Sequence, residues 1–172
     1  MLTLEPLRAD HADALLAFER ENRAYFARSV PDRGDAYFTA AGFAERHRAL
    51  LDEQHAGVCR FHVVLEEETL IGRVNLMDVV DGSAELGYRI GERAAGQGVA
   101  TAAVAQMCRL AAAEYGLTSL TAVTTLDNPA SMTVLARNGF TSVEDTTVAG
   151  RPGVRYVRHL GRLDVRKPGQ CG

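Results

Sequence analysis

The sequence predicts an α+β fold built on a mostly antiparallel sheet. Three segments near the middle of the chain alternate apolar and polar residues, and turns at residues 66–68 and at Asp81-Gly82 separate them. Consecutive strands joined by short turns pair antiparallel. Later, a strand, an alanine-rich helix and another strand predict one strand-helix-strand crossover. A length of 172 residues, with 47% hydrophobic and 24% charged residues, is typical of one soluble globular domain.

The first elements are a strand and two helices. Residues 2–7 alternate apolar and polar and predict the strand. Asp10 is expected to cap the first helix, and Asp35 a second helix that runs to about His55. Between these helices, residues 22–34 mix aromatic, basic and turn residues. This segment is either a helix end with a loop or a wall of a substrate pocket, since loops often carry specificity.

A meander of three strands follows. The alternation predicts these strands at residues 58–65, 70–77 and 84–90. In the first of them, one face carries Cys59, Phe61, Val63 and Leu65, and the other carries Val58, Arg60, His62 and Val64. Gly87, inside the third strand, predicts a bulge or a close approach by another backbone.

The second half of the chain alternates helices and strands. Residues 98–115 predict a helix that Gly116 ends, and residues 120–125 predict a strand. One stripe of this helix is spaced to face a sheet and consists of Ala100, Val104, Met107 and Ala111. Asn128 is expected to cap the next helix, with Pro129 at its first position.

The last predicted elements are two strands. Gly139 ends the preceding helix, and Phe140 begins a strand. A turn over residues 149–153 leads into a final strand over residues 154–160. The predicted order therefore contains seven strands and four helices.

Composition limits the classes of function. A net charge of −3 argues against a nucleic-acid-binding surface, and no apolar run approaches the roughly 20 residues that span a bilayer. Cys59, Cys108 and Cys171 are too scattered for a disulfide framework or a metal site, which predicts reduced thiols in a cytoplasmic protein. The first residues have no basic region followed by an apolar one, so we expect no signal peptide. We expect one domain over residues 1–161 and a loose tail over residues 162–172.

The segment Arg93-Ala-Ala-Gly96-Gln-Gly98 places a glycine-rich turn between a strand and a helix. Such a turn leaves backbone N–H groups unpaired at the positive end of the helix dipole, where they can bind phosphate. No Gly-Lys-Ser/Thr follows, so the turn is not a P-loop. It is not a convincing dinucleotide fingerprint either, because Thr101 stands where the third glycine should be and an antiparallel meander precedes the turn rather than a βαβ unit. From its spacing alone, the segment could also be an ordinary turn.

Arg93-x-x-Gly96-x-Gly98, followed about 30 residues later by Asn128-x-x-Ser131 and then by Gly139-Phe140, resembles the GNAT superfamily of acyl-CoA-dependent N-acetyltransferases. The segments Glu-Leu-Gly-Tyr and Asn-Arg-x-Tyr-Phe are most similar to the branch that acetylates alanine or serine N-termini of bacterial ribosomal proteins. The resemblance implies a mixed, mostly antiparallel seven-stranded sheet with about four helices, splayed at the fourth strand. It also implies acetyl-CoA as donor and no metal.

The resemblance also assigns cofactor-binding residues. The motif and the amides that would hold the pyrophosphate of acetyl-CoA comprise Arg93, Gly96, Gln97, Gly98, Val99, Ala100 and Thr101. Backbone from Tyr88 to Ile90, in the splayed strand, would pair with the pantetheine arm. Asn128 would contact that arm near the thiol.

Direct acyl transfer requires a base for the amine and a donor for the leaving thiolate. Many family members serve the thiolate with a tyrosine seven residues after the asparagine, but here that position is Leu135. The resemblance makes Ser131 the substitute, although it could be an ordinary first-turn serine. Glu85 is the candidate base, acting directly or through water, unless it is only a solvated strand carboxylate. Tyr88 and His62 are weaker alternatives.

The leading hypothesis is an enzyme that acetylates a primary amine, either a protein N-terminus or a small molecule, by direct attack in a ternary complex. A non-catalytic acyl-CoA-binding or sensing domain is the alternative, and a nucleotide-binding domain is a third. Arg23, Arg28 and Arg33 either favour an acidic or carboxylate-bearing acceptor or are ordinary solvated surface arginines. We expect no nucleic-acid or membrane partner, and a homodimer is common in the family.

Overall fold

The computed structural model describes residues 1–161 and contains seven strands and four α-helices. In chain order they are β1 (Leu2–Pro6), α1 (Ala12–Ala27), α2 (Ala40–His55), β2 (Arg60–Glu66), β3 (Thr69–Val80), β4 (Ser83–Ile90), α3 (Val99–Ala113), β5 (Ser119–Thr125), α4 (Pro129–Arg137), β6 (Thr141–Val148) and β7 (Arg151–His159). Short 3-10 turns span Ala9–His11, Asp35–Phe38 and Glu92–Ala94. The predicted tail at residues 162–172 lies outside the described residues.

All seven strands form one sheet in the order β1-β2-β3-β4-β5-β7-β6. Every neighbouring pair is antiparallel except β4 and β5, which are parallel. The parallel ladder begins with Ser83 opposite Ser119 and ends with Glu85 opposite Thr121. Beyond Glu85 the two strands separate, so the predicted α+β sheet with a splayed fourth strand is confirmed.

The sheet separates two hydrophobic cores. One lies beneath α3 and α4 and includes Val64, Val74, Leu76, Val104, Met107 and Leu120, all fully buried. The other lies beneath α1 and α2 and includes Leu7, Leu15, Phe43, Phe61 and Val63. Strand β2 contributes to both, because neighbouring residues point to opposite faces. The alternation predicted for this strand is therefore confirmed.

Both predicted caps at the N-terminal helices are wrong. Asp10 lies within a 3-10 turn, where its carboxylate accepts a hydrogen bond from Arg8 Nε at 3.0 Å, and α1 begins after His11. Asp35 also begins a 3-10 turn. Helix α2 is capped instead by Thr39, whose Oγ1 accepts from the Gly42 amide at 3.0 Å. In both cases a short turn precedes the helix and moves its start downstream.

The hairpin turn predicted at Asp81-Gly82 is confirmed, whereas the bulge predicted at Gly87 is absent. Asp81 and Gly82 both have positive φ, 49° and 75°, as a tight hairpin turn requires. Gly87, however, pairs regularly with Asn75, so there is no bulge at this residue; the irregularity in this hairpin lies between Met77 and Val80. What approaches Gly87 is the methyl group of Met77, which would lie 3.0 Å from an added Cβ.

The last predicted turn is shorter than expected. Only Ala149 and Gly150, with φ of 50° and 77°, form it. Arg151 and Pro152 already pair with β6, opposite Val148 and Thr147. Proline is tolerated there because Pro152 is the second residue of β7 and the ladder with β5 reaches only Gly153, so the missing N–H lies outside that ladder.

Candidate active site

A cleft of about 590 Å³ opens where β4 and β5 separate. Its walls come from the C-terminal half of β4, the glycine turn, the start of α3, the end of β5 and the start of α4. The end of α1 and the loop after it close the opposite side with Tyr25, Phe26, Ser29 and Val30. Part of the mixed segment at residues 22–34 is thus a wall of this cleft, and the cleft passes through the splay from one face of the sheet to the other.

The glycine turn lines the cleft and has the backbone conformation that only glycine adopts readily. Gly96 and Gly98 have φ of 72° and 75°. A Cβ added at either position would meet no atom within 4 Å, so conformation rather than crowding requires glycine here. The space in front of the turn is open to a ligand.

Helix α3 begins directly at this turn, with Gly98 as its N-cap. Its first hydrogen bond runs from the Ala102 amide to the Gly98 carbonyl at 3.1 Å. The amides of Val99, Ala100 and Thr101 precede that bond and therefore have no acceptor one turn earlier in the helix. All three residues line the cleft, where their amides and the helix dipole favour an anion.

The side chains of Arg93 and Gln97 do not line the cleft. Arg93 is 90% exposed and pairs with Glu21 on α1 at 2.6 Å. The Gln97 amide donates to the Arg93 carbonyl at 3.1 Å, which ties the turn to the preceding 3-10 turn. The assignment of these two residues to cofactor binding stays a prediction, and for Gln97 it concerns the backbone amide.

Asn128 and Ser131 meet at the start of α4, and both line the cleft. The Ser131 amide donates to Asn128 Oδ1 at 3.1 Å, so the predicted cap is confirmed. Because the cap uses the Asn128 oxygen, its NH2 group remains available as a donor. Because the cap uses only the backbone amide of Ser131, the serine hydroxyl is not committed to the cap.

Tyr88 joins Asn128 and Ser131 in the cleft, a grouping that sequence analysis did not predict. Burial raises the pKa of the Tyr88 hydroxyl, and a hydrogen bond with the Ser131 side chain opposes that rise. Tyr88 therefore stays protonated at neutral pH. The alternation of β4 places Tyr88 on the face covered by α3 and α4, which is the signal that could have paired it with Ser131. Leu135 also lines this part of the cleft and is 1% exposed.

The two remaining candidate bases differ in position. Glu85 does not line the cleft but occupies the last parallel pair, opposite Thr121, immediately before the strands separate. Its role stays a prediction. His62 is fully buried in β2, where its Nε2 lies 2.7 Å from the Tyr115 hydroxyl, and burial lowers its pKa to about 4. Because β2 lies two strands away from β4, and the buried imidazole is not among the cleft residues, its position argues against a role as base.

A buried charge cluster that sequence analysis missed lies beside the cleft. Glu19 on α1 accepts from Arg73 of β3 at 3.1 Å and from Arg89 of β4 at 3.2 Å. Residues far apart in sequence form this cluster, although Arg73 and Arg89 are cross-strand partners. Arg89 lines the cleft. The packing of α1 against β3 and β4 thus places the Arg89 guanidinium group at the cleft wall.

The three arginines of the mixed segment do not enter the cleft. Arg23 binds Asp32 and Asp35, each at 2.8 Å, and hydrogen bonds from these carboxylates raise its pKa. The Arg28 and Arg33 guanidinium groups lie over the rings of Tyr25 and Tyr37, 5.8 Å and 5.1 Å from the ring centres.

Residues 1–161 contain neither a candidate membrane-spanning helix nor a candidate metal cluster. This part of the chain has no helix that is both long and apolar enough to cross a membrane. Nor does it bring together three or more His, Cys, Asp or Glu side chains that could hold a metal ion. Cys59 and Cys108 are buried, unpaired thiols, whereas Cys171 lies outside the described residues.

Comparison with solved structures finds close relatives of this fold. A ribosomal-protein-S5-alanine acetyltransferase from Vibrio fischeri superposes with a TM-score of 0.85 at 21% identity, over 97% of this chain and 96% of that one. RimJ of Mycobacterium smegmatis, in complex with a CoA disulfide, gives 0.86 at 21% identity over 95% and 84%. A spermidine N-acetyltransferase from Vibrio cholerae, in complex with CoA and spermine, gives 0.75 at 19% identity over 94% and 96%.

Sequence comparison identifies the family. No curated protein matches the sequence significantly. A family model described as "Acetyltransferase (GNAT) domain" matches residues 1–141, which include the glycine turn and the Asn128–Ser131 group. The similar structures share the fold of this chain, and the family match covers most of its length. The chain therefore belongs to the GNAT acetyltransferase family.

Proposed function

We propose that this protein transfers the acetyl group of acetyl-CoA to a primary amine by direct attack in a ternary complex. The observation that carries the proposal is the open glycine turn at the start of α3, which faces a cleft running through the splayed sheet. The similar structures include a ribosomal-protein-S5-alanine acetyltransferase and a spermidine N-acetyltransferase. A protein N-terminus and a small amine are accordingly the two acceptor classes we propose.

The donor would lie along the face covered by α3 and α4. The amides of residues 97–101 would receive the pyrophosphate, because unpaired N–H groups at a helix start favour negative charge. Past Glu85, strand β4 has no β5 partner. Backbone groups on that edge of residues 88–90 are therefore available to pair with the amide groups of the pantetheine arm, as a further strand would.

The thiol end would reach Asn128, Ser131 and Tyr88. In the proposed step, the amine nitrogen attacks the thioester carbonyl, the C–S bond breaks, and the electron pair leaves on sulfur. A serine hydroxyl is too weak an acid to protonate a thiolate alone, but it can donate a hydrogen bond to it. In that step Ser131 would turn its proton from the Tyr88 oxygen to the sulfur, and the protonated Tyr88 would in turn donate to Ser131 Oγ.

The amine must lose a proton to attack. We propose Glu85 for this task, directly or through water, because the pleat directs it to the face opposite Tyr88 at the point where the strands separate. The amine would then approach from the α1 and α2 side, while the thioester lies on the α3 and α4 side. The two reactants would meet in the splay.

A second candidate function follows from Leu135. This apolar side chain occupies the place of the tyrosine that serves the thiolate in many family members, so the chain could bind acyl-CoA without transferring the acyl group. Thiol release from acetyl-CoA separates the two functions. An enzyme releases CoA thiol in proportion to acetylated amine, as mass spectrometry of the acceptor would show. A sensing domain would bind acetyl-CoA and release none with any of a panel of N-terminal peptides, polyamines and small amines.

A further inference from the structure

The charge cluster beside the cleft contains two positive side chains and one negative side chain. Arg73 and Arg89 lie directly opposite each other on β3 and β4, and like charges at such positions repel. Within residues 1–161, Glu19 is the sole carboxylate within ion-pair distance of either guanidinium group. The Glu19 and Arg73 side chains are only 1% and 6% exposed. One carboxylate therefore faces two guanidinium groups, and one positive charge remains unbalanced.

The unbalanced positive charge lies at the cleft wall, where Arg89 is located. Arg89 is 21% exposed, more than either partner, and it lines the cleft. A single hydrogen bond, from Nη1 to Glu19, satisfies one of its five N–H donors in the described part of the chain. Its planar group lies 4.9 Å from the centre of the Phe26 ring, which fixes its orientation.

The neighbouring charges do not supply the missing anion. Asp32 and Asp35 are both engaged by Arg23. Burial lowers the pKa of Arg89, the positive charges of Arg33 and Arg73 add to that effect, and Glu19 only partly opposes it. An arginine held at a cleft wall under these conditions gains from a carboxylate, which can accept two parallel N–H bonds from the guanidinium group.

We propose that Arg89 binds a carboxylate group of the acceptor, so that the preferred substrates are primary amines that also carry a carboxylate. This inference rests on the proposed acetyl transfer, and it names the acceptor chemistry for the same cleft. Arg89 and Glu85 lie on one face of β4, four residues apart, which is about 13 Å along a strand. A carboxylate several bonds from the amine suits this spacing, as in a peptide whose second residue is acidic.

Two acceptor peptides that differ only in one carboxylate test the proposal. The purified protein is given acetyl-CoA with Ser-Glu-Ala-amide or Ser-Gln-Ala-amide, which differ only in one charge. A second arm compares a free α-amino acid with its amide, to distinguish a side-chain carboxylate from an α-carboxylate. We expect kcat/KM about tenfold or more higher for the Glu peptide than for the Gln peptide, mainly through a lower KM, and a smaller preference in the second arm.

Variants then assign the preference to one side chain. Arg89→Gln should bring the ratio of the two peptides close to one, and Arg89→Lys should leave an intermediate ratio, because an ammonium keeps the charge but loses the bidentate geometry. Arg28→Gln, which removes an exposed charge outside the cleft, should leave the ratio unchanged. An equal rate with both peptides in the unmodified protein would overturn the proposal, as would a preference that survives in Arg89→Gln.

A binding measurement separates this inference from the proposed function. Should acetyl-CoA bind and no acceptor be acetylated, the acetyl-transfer proposal fails, and peptide affinity is measured in the presence of saturating CoA. Tighter binding of the Glu peptide that disappears in Arg89→Gln would still support a carboxylate site. Equal affinity of the two peptides would overturn it. Thermal unfolding of each variant confirms that it is folded before either assay.

Discussion

Replacing Gly96 with alanine tests the proposed phosphate site. The change should affect two quantities that can be measured separately, the stability of the protein and its affinity for acetyl-CoA. Gly96 has a φ of 72°, and an added Cβ meets no atom within 4 Å. The substitution therefore costs about 1–2 kcal/mol of left-handed backbone strain without a steric clash. For a chain of this size, we expect the Tm to fall by about 2–8 °C.

The substitution should also weaken acetyl-CoA binding, which strain in the folded backbone alone would not do. Gly96 lines the cleft, so its new methyl group would stand before the amides that would receive the pyrophosphate. A loss of about 1.4 kcal/mol or more in binding raises Kd at least tenfold. Calorimetric titration of the folded variant with acetyl-CoA measures this change directly.

Gly116→Ala is the matched control. Gly116 has a φ of 63°, its added Cβ also meets no atom within 4 Å, and it lies beyond the opposite end of α3, away from the cleft. Its Tm should fall by a similar amount while Kd stays within about twofold of the original value. The reasoning is refuted if both variants bind acetyl-CoA equally well, or if both lose affinity to the same extent.

Three further changes have defined outcomes. Ser131→Ala should lower kcat about a hundredfold with little change in Tm, since the cap uses only the Ser131 amide; an unchanged kcat would remove this residue from the mechanism. Glu85→Gln should lower kcat/KM about a hundredfold at neutral pH and recover as pH rises and free amine accumulates; a parallel loss at every pH would argue against a base. His62, whose pKa is lowered to about 4 by burial, takes up its proton more readily in the unfolded chain, so stability should fall between about pH 6.5 and 4, by roughly 3 kcal/mol in total. Urea unfolding at several pH values should show this slope reduced in His62→Gln, with the remainder carried by His47, whose pKa burial also lowers; an identical slope in the variant would contradict the assignment.

Local features of the fold could be predicted from the sequence because they depend on a few adjacent residues. The hairpin at Asp81-Gly82 and the cap at Asn128 follow from turn and capping chemistry, and the structure confirms both. The caps expected at Asp10 and Asp35 failed for the opposite reason. Each aspartate has an arginine partner, and a 3-10 turn intervenes before the helix.

Other features depend on contacts between distant segments. The cluster of Glu19, Arg73 and Arg89 needs α1 to pack against two strands, and no spacing in the sequence predicts that packing. The contact between Tyr88 and Ser131 likewise joins β4 to α4 across the splay. The family motif singled out the glycine turn and Asn128, which both line the cleft, whereas the charge balance of the acceptor side emerged only from the assembled fold.

Thermal unfolding with acetyl-CoA, ATP or NAD at equal concentration tests the central claim most directly. A ligand at about 100 times its Kd adds about 2.7 kcal/mol to the free energy of unfolding, which for this chain is a rise in Tm of roughly 5–10 °C. The account predicts this rise with acetyl-CoA alone and its loss in Gly96→Ala. No rise with acetyl-CoA, or a larger one with ATP or NAD, would contradict the assignment of the glycine turn as the acetyl-CoA site.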